Sequence, residues 1–306
     1  MTATLLLAQV LNGLQYGVLL FLLAAGLTLV FGIMSFVNLA HGSLYMLGAY
    51  AGALAYGASG SFVLAVAAAM ASALAVGLLL EVTVVSRLYR RDHLDHVLAT
   101  FGLVMFFNEL VRMVWGPQPL FVQVPDALGG TVNLFGFNYP AYRFVIIAVG
   151  LAVAAGSHWL IHRTRVGMLI RAGAQNPQMV GVLGVNIRLL NALLFGVGAM
   201  LAGLAGAMAG PVLSVQSGMG EPVLITTLVV IVIGGVGSVS GALYASLIVG
   251  LVDTLGRVLL PLLLRLVAER SVADAAGPAL ASMMVYLLMA MVLALRPQGL
   301  FPARRG

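Results

Sequence analysis

The sequence predicts an all-α, polytopic helical membrane protein, and three observations lead there. Of 306 residues, 62% are hydrophobic and 8% charged, whereas about a quarter of a soluble domain is charged. No Asp, Glu, Lys or Arg occurs before Glu81, and charge-free runs of that length read as spans of ~20 apolar residues each. The apolar runs also lack the strict polar–apolar alternation of membrane barrel strands.

In chain order, the first apolar block covers residues 5–37, too long for one untilted span. It either starts as an interfacial helix or breaks near Gly26 or Gly32. Further spans are expected over 44–57, 62–85, 97–115, 144–161, 189–209 and 280–295. The run 223–255 is interrupted by a glycine-rich segment at 234–241, so at least one helix is discontinuous. About eight crossings result, or nine, in a single domain covering residues 1–306. The N-terminal residues lack the basic region of a cleaved signal peptide, so the first span is expected to be permanent.

All fifteen cationic residues are arginine, and ten of them lie in 87–96, 162–188 and the tail from Arg296. The positive-inside rule places those three segments in the cytoplasm. Loop 116–140, with four prolines and a single charge at Asp126, and segment 257–279 then face outside. The absence of lysine excludes a phosphate-binding P-loop and Schiff-base chemistry. With no cysteine there is neither a disulfide framework nor a thiolate site. The net charge of +6 reflects membrane topology, and no nucleic-acid partner is expected.

Loop 163–188 contains its own punctuation. Asn176 suits a helix N-cap, Pro177 the first helical position, and Gly184 a left-handed end. Between them lie Met179, Val180, Gly181, Val182 and Leu183. A helix of two turns is marginal alone in water, so it must pack on something, either its own bundle or a partner. Arg171 adds charge beside it.

Other polar features divide between ordinary and functional readings. Asn38, His41 and Gly42 lie in a polar break between apolar blocks. It is either a solvated loop or irregular backbone lining a cavity. Gly234, Gly235 and Gly237 make a tight turn with close backbone approach. Glu81 with Arg87, Glu109 with Arg112, and Asp253 with Arg257 stand at helical pairing distance. His93, Asp95 and His96 read as a solvated turn and not as a metal site. The pairs Gly13/Gly17, Gly48/Gly52 and Gly206/Gly210 are helix-packing signals. Residues 11–18 match 190–197 at five of eight positions, a level that composition alone also explains.

Several stretches resemble, in order, the permease subunits of high-affinity branched-chain amino-acid ABC importers, of the LivH type. They are residues 31–42, 169–187, 201–206, 234–242 and 296–301. The resemblance implies a subunit of the bacterial inner (plasma) membrane that pairs with a second permease, as a heterodimer. Two cytoplasmic ATPase subunits would carry ATP and Mg, and a periplasmic binding protein would deliver the small-molecule substrate. It also implies that residues 163–188 are the coupling loop, with Arg171, Asn176, Pro177, Met179, Val180, Gly181, Val182, Leu183 and Gly184 docking on the ATPase. Asn38, His41, Gly42, Gly234, Gly235 and Gly237 are the candidates for the translocation pathway. Glu221 departs from the pattern, because a basic residue often stands there. No catalytic residue, metal or cofactor of this chain is implied. The alternative is a secondary transporter or channel for a small polar solute that works without an ATPase; it calls for ionisable residues at the span centres, where this sequence has almost none.

Overall fold

The computed structural model describes residues 3–34, 36–89, 91–134, 136–266 and 269–301. Ser35 of the first motif, Arg90 of the charged loop, and Arg304 and Arg305 of the basic tail lie outside them. Among the described residues, seven helices are long and apolar enough to cross a membrane, and Gly220–Gly234 is a shorter apolar helix.

The chain begins with α1 (Ala3–Met34), an unbroken helix of 32 residues. At 1.5 Å per residue it is ~48 Å long, well beyond the ~30 Å hydrocarbon core. The break foreseen near Gly26 or Gly32 does not occur. Those glycines instead admit neighbouring backbone: a Cβ on Gly26 would lie 2.6 Å from the Gly198 carbonyl oxygen, and one on Gly32 would lie 2.8 Å from the Gly237 Cα.

Next come α2 (His41–Ser59) and α3 (Phe62–Leu80). They are joined by a turn in which Gly60 takes φ +64° and Ser61 accepts the Leu64 N–H. A π-helical turn (Glu81–Val85) carries α3 without a break into α4 (Ser86–Leu88). The helices α5 (His93–Trp115) and α6 (Ala141–Arg163) flank the outer loop. There, β1 (Thr131–Leu134) and β2 (Phe137–Pro140) pair antiparallel, Val132 opposite Tyr139.

The basic loop folds into α7 (Arg165–Gln175) and α8 (Pro177–Val182). Then follow α9 (Ile187–Ala209), α10 (Gly220–Gly234), α11 (Val239–Leu264) and α12 (Arg270–Leu295). The discontinuity expected at 234–241 is the turn between α10 and α11, where Gly235 and Gly237 take φ +100° and +80°.

Contacts set the directions. Gly13 and Gly17 of α1 meet residues 250–251 and 246–247 of α11, and Gly32 meets Gly237, so α1 and α11 run antiparallel. Likewise α3 and α9 are antiparallel, with Gly77 against Ala199 and Ala69 against Gly203. With the arginine-rich loops inside, α1 begins outside and ends inside. The units α1–α2–α3 and α9–α10–α11 therefore occupy matching places with opposite directions, as in inverted-repeat transporters. The sequence match between residues 11–18 and 190–197 falls on the first helix of each unit.

The helices α2 and α10 meet N-terminus to N-terminus: a Cβ on Gly220 would sit 2.1 Å from the Gly42 carbonyl oxygen. The 15 residues of α10 span only ~22 Å. Its far end is held by the chain's C-terminal segment, where the Leu300 and Phe301 N–H groups donate to the carbonyls of Ile233 and Gly234. The Gly42–Gly220 contact therefore lies inside the membrane.

The buried core centres on α1, α2 and α9. Gly48 and Gly203 form one of its close crossings, with a Cβ on Gly48 only 2.4 Å from the Gly203 Cα. Gly48→Leu should therefore lower stability by at least the ~1–3 kcal/mol of ordinary overpacking. A fall in the thermal unfolding midpoint of the purified subunit in detergent is the readout, with Gly57→Leu, where nothing lies within 4 Å, as the neutral control.

Candidate coupling element and pathway junction

The first candidate site is the arginine-rich α7–α8 element. The Thr164 hydroxyl oxygen accepts the Gly167 N–H at 3.0 Å and so caps α7. Asn176 Oδ1 accepts the Met179 N–H at 3.0 Å and caps α8. Asn186 Oδ1 accepts the Leu189 N–H at 3.1 Å and caps α9. Three caps within 23 residues make this loop a rigid elbow. Gly167 seats α7 on the end of α6, since a Cβ there would lie 2.2 Å from the Leu160 carbonyl oxygen. The Arg171 guanidinium donates to the Ile161 carbonyl, clamping the same joint. Ile170 packs with Leu190 and Leu194 and against Met34, at the inner end of α1.

Not every residue proposed for docking points outward. Val180 is 4% exposed, so it belongs to the element's own packing. Met179, Val182 and Leu183 are 57%, 82% and 76% exposed. Gly181 is exposed beside them, and Gly184, at φ +88°, ends the turn. The exposed tip is thus three apolar side chains, and α7 separately exposes Val166, Met168, Arg165 and Arg171.

The second candidate site is the junction of α2 and α10. Asn38 and His41 are each 1% exposed, which removes the solvated-loop reading of this segment. Both amide atoms of Asn38 and Nε2 of His41 have no hydrogen-bond partner. Gly42 lines a cavity of about 10 Å³ with Leu39, Ser43, Met46, Val104, Asn108, Gly220 and Glu221. Gly234, Gly235 and Gly237 do not reach it. They lie one α10 length away, packed against Gly241, Gly299 and Gly32. Glu221 and Asn108 are the residues that sequence reasoning did not bring together. The Asn108 amide donates to Glu221 Oε1 across 113 positions of sequence, a pairing no local spacing can signal.

Other polar groups are engaged elsewhere. The Asp253–Arg257 pair forms as expected, at 2.9 Å, and so does Glu109–Arg112, at 3.2 Å. Glu81 does not pair with Arg87: its carboxylate accepts the Tyr89 hydroxyl at 2.9 Å inside the bundle, where burial, with Glu81 adding to it, raises the Tyr89 pKa. His96 is not in a solvated turn. It is 4% exposed, within 2.8 Å of the Leu88 carbonyl through Nε2, with its ring tilted at 46° against Phe36. Among the described residues no group of three His, Cys, Asp or Glu can hold a metal.

Residues 9–293 match the family described as branched-chain amino acid transport system / permease component. The chain belongs to that family. This permease is 28% identical, over 309 residues, to the high-affinity branched-chain amino acid transport system permease protein BraD of Pseudomonas aeruginosa, covering 96% of this chain and 95% of BraD. It is 27% identical over 270 residues to the LivH permease protein of Escherichia coli, covering 81% and 85% of the two chains. It is also 24% identical over 242 residues to the ribose import permease protein RbsC of E. coli, covering 76% and 72%. No solved structure matches it. The permease is a multi-pass membrane protein and a component of a larger transport system.

Losing the α8 cap should cost ~1 kcal/mol of local helix stability, or roughly fivefold in opening. Amide hydrogen exchange at Met179 and Val180 is therefore expected to quicken by about that factor in Asn176→Ala, while exchange in α9 stays unchanged.

Proposed function

We propose that this permease is the translocation subunit of an ATP-driven importer of branched-chain amino acids, seated in the bacterial inner membrane. A second permease subunit completes the pathway, two cytoplasmic ATPase subunits bind ATP and Mg and hydrolyse the nucleotide, and a periplasmic protein delivers the solute. One observation above all supports the ATPase partner. A doubly capped, rigid element on the arginine-rich side ends in three exposed apolar side chains, Met179, Val182 and Leu183. A groove on a cytoplasmic protein would bury those side chains. The family and the relatives' printed descriptions support the solute.

The mechanism needs only differential binding. A ligand shifts a conformational equilibrium by the difference in its affinity for the two states. If the ATPase dimer holds α8 more tightly when closed, its closure pulls on α7, which is clamped to α6 by Gly167 and Arg171 and contacts the inner end of α1. The membrane bundle then changes state. An ion-driven transporter has less support. Of the carboxylates treated above, Glu81, Glu109 and Asp253 are already engaged with Tyr89, Arg112 and Arg257, which leaves Glu221, bonded to the Asn108 amide, without a charged or hydroxyl partner among the described residues.

Val182→Asp with Leu183→Asp is the test, in the assembled complex in proteoliposomes. Each buried apolar side chain is worth ~1.5–3 kcal/mol. ATP-driven leucine uptake is expected to fall at least tenfold, with loss of ATPase co-purification, and the subunit should stay folded because both positions are exposed. Uptake and co-purification both at wild-type levels would contradict the proposal.

A further inference from the structure

Glu221 stands in the first turn of α10, inside the membrane and beside the α2–α10 junction. No cationic side chain lines its cavity, and among the described residues it forms no ion pair. Among the described residues, the hydrogen-bond partner of its carboxylate is the Asn108 amide. Asn108 lies on α5 fifteen residues after His93, ~22 Å from the cytoplasmic end of that helix. That matches the depth reached along α10, so the pairing joins two side chains at one level of the bilayer. A carboxylate at such depth is costly and marks a path or a site.

An amide N–H₂ is a poor substitute for an ammonium. It offers two donors and no charge, whereas an alkylammonium offers three donors and a full positive charge. Charge-assisted bonds with both partners ionised are the stronger kind. The surrounding geometry lets Asn108 leave. Of the helices, α5 packs appreciably only on α2, and its outward face is apolar and exposed. Beyond Asn108, three hydrogen bonds fasten this region of α5 and its outer loop. The Ser217 hydroxyl donates to the Asn108 carbonyl at 3.1 Å. Leu120 and Val215 exchange backbone bonds of 2.8 and 2.9 Å. With these in place the cavity, at about 10 Å³, has room for about one water and none for an amino acid.

We propose that Glu221 binds the ammonium group of the solute inside the membrane, and that Asn108 occupies that place while the path is empty. This rests on the reading of the permease as an amino-acid importer. An arriving ammonium displaces the Asn108 amide and releases α5 from α10, and the apolar side chains of Leu39, Met46 and Val104 then face the solute's branched chain.

The chain has no cysteine, so Ser217→Cys supplies a single reporting thiol in this subunit. In the assembled complex, its labelling by N-ethylmaleimide from outside is followed with leucine, with isopentylamine (the ammonium half of leucine) and with isocaproate (the carboxylate half). Leucine and isopentylamine should raise the rate about tenfold, the equivalent of ~1.4 kcal/mol, and isocaproate should not. Glu221→Gln should abolish that response while the ATPase still co-purifies. An equal response to isocaproate, or an amine response surviving in Glu221→Gln, overturns the proposal. Leucine uptake separates this from the broader reading. If the wild-type complex imports leucine and Glu221→Gln imports it equally fast, the site falls alone. If the Glu221-dependent amine response is present but the wild type imports no leucine, the site stands and the assigned solute falls.

Discussion

Backbone-to-backbone contact between helices is the interaction on which the rest of this structure depends. In lipid no hydrophobic force drives helices together, so close van der Waals packing at small residues has to do it. Here α9 is the hub. Its Gly198 meets Gly26 of α1, its Gly203 meets Gly48 of α2 and Ala69 of α3, and its Gly206 meets the Tyr45 carbonyl. Side chains at these positions would force the helices apart before any polar detail could be arranged. The glycines of α1 that resemble hinge points are such contacts, and α1 runs unbroken through them.

That packing separates a stiff body from its attachments. The helices α1, α2, α3, α9 and α11 are locked together at glycine, while α5 and α6 are held by fewer contacts. The α7–α8 element hangs from the inner ends of α6 and α9, and the Glu221–Asn108 pair bridges α10 to α5 near the outer loop. Motion entering at α8 and solute entering at Glu221 would thus act on opposite ends of the same bundle. The inverted relation of α1–α2–α3 to α9–α10–α11 places the N-termini of α2 and α10 together within it.

Much of this was legible. Apolar runs and arginine placement foretold the helical membrane fold, and the Asn176 and Gly184 punctuation foretold α8, because caps are local chemistry. Where the reading fell short, the cause was long-range or masked by composition. The helix α7 hid inside a stretch read as basic loop, although Thr164 as a cap and Val166, Leu169 and Ile170 at helical spacing were available signals. The β1–β2 hairpin was signalled by Gly136 between alternating apolar residues in a loop read as irregular. Val180 could not be told from Val182 by sequence, since only the fold of α8 on its neighbours decides which one is buried. Glu221 was noticed only as a departure from the family pattern; its partner on α5 lay far beyond any local spacing rule.

The central claim is that the apolar tip of α8 is the point at which an ATPase drives this permease. Because the chain lacks cysteine, Leu183→Cys can carry a single benzophenone photocrosslinker, activated in the assembled complex with and without a trapped nucleotide. The account predicts a crosslink to an ATPase subunit whose yield changes with nucleotide state. Crosslinks only to the permease itself or to lipid, in both states, would contradict it.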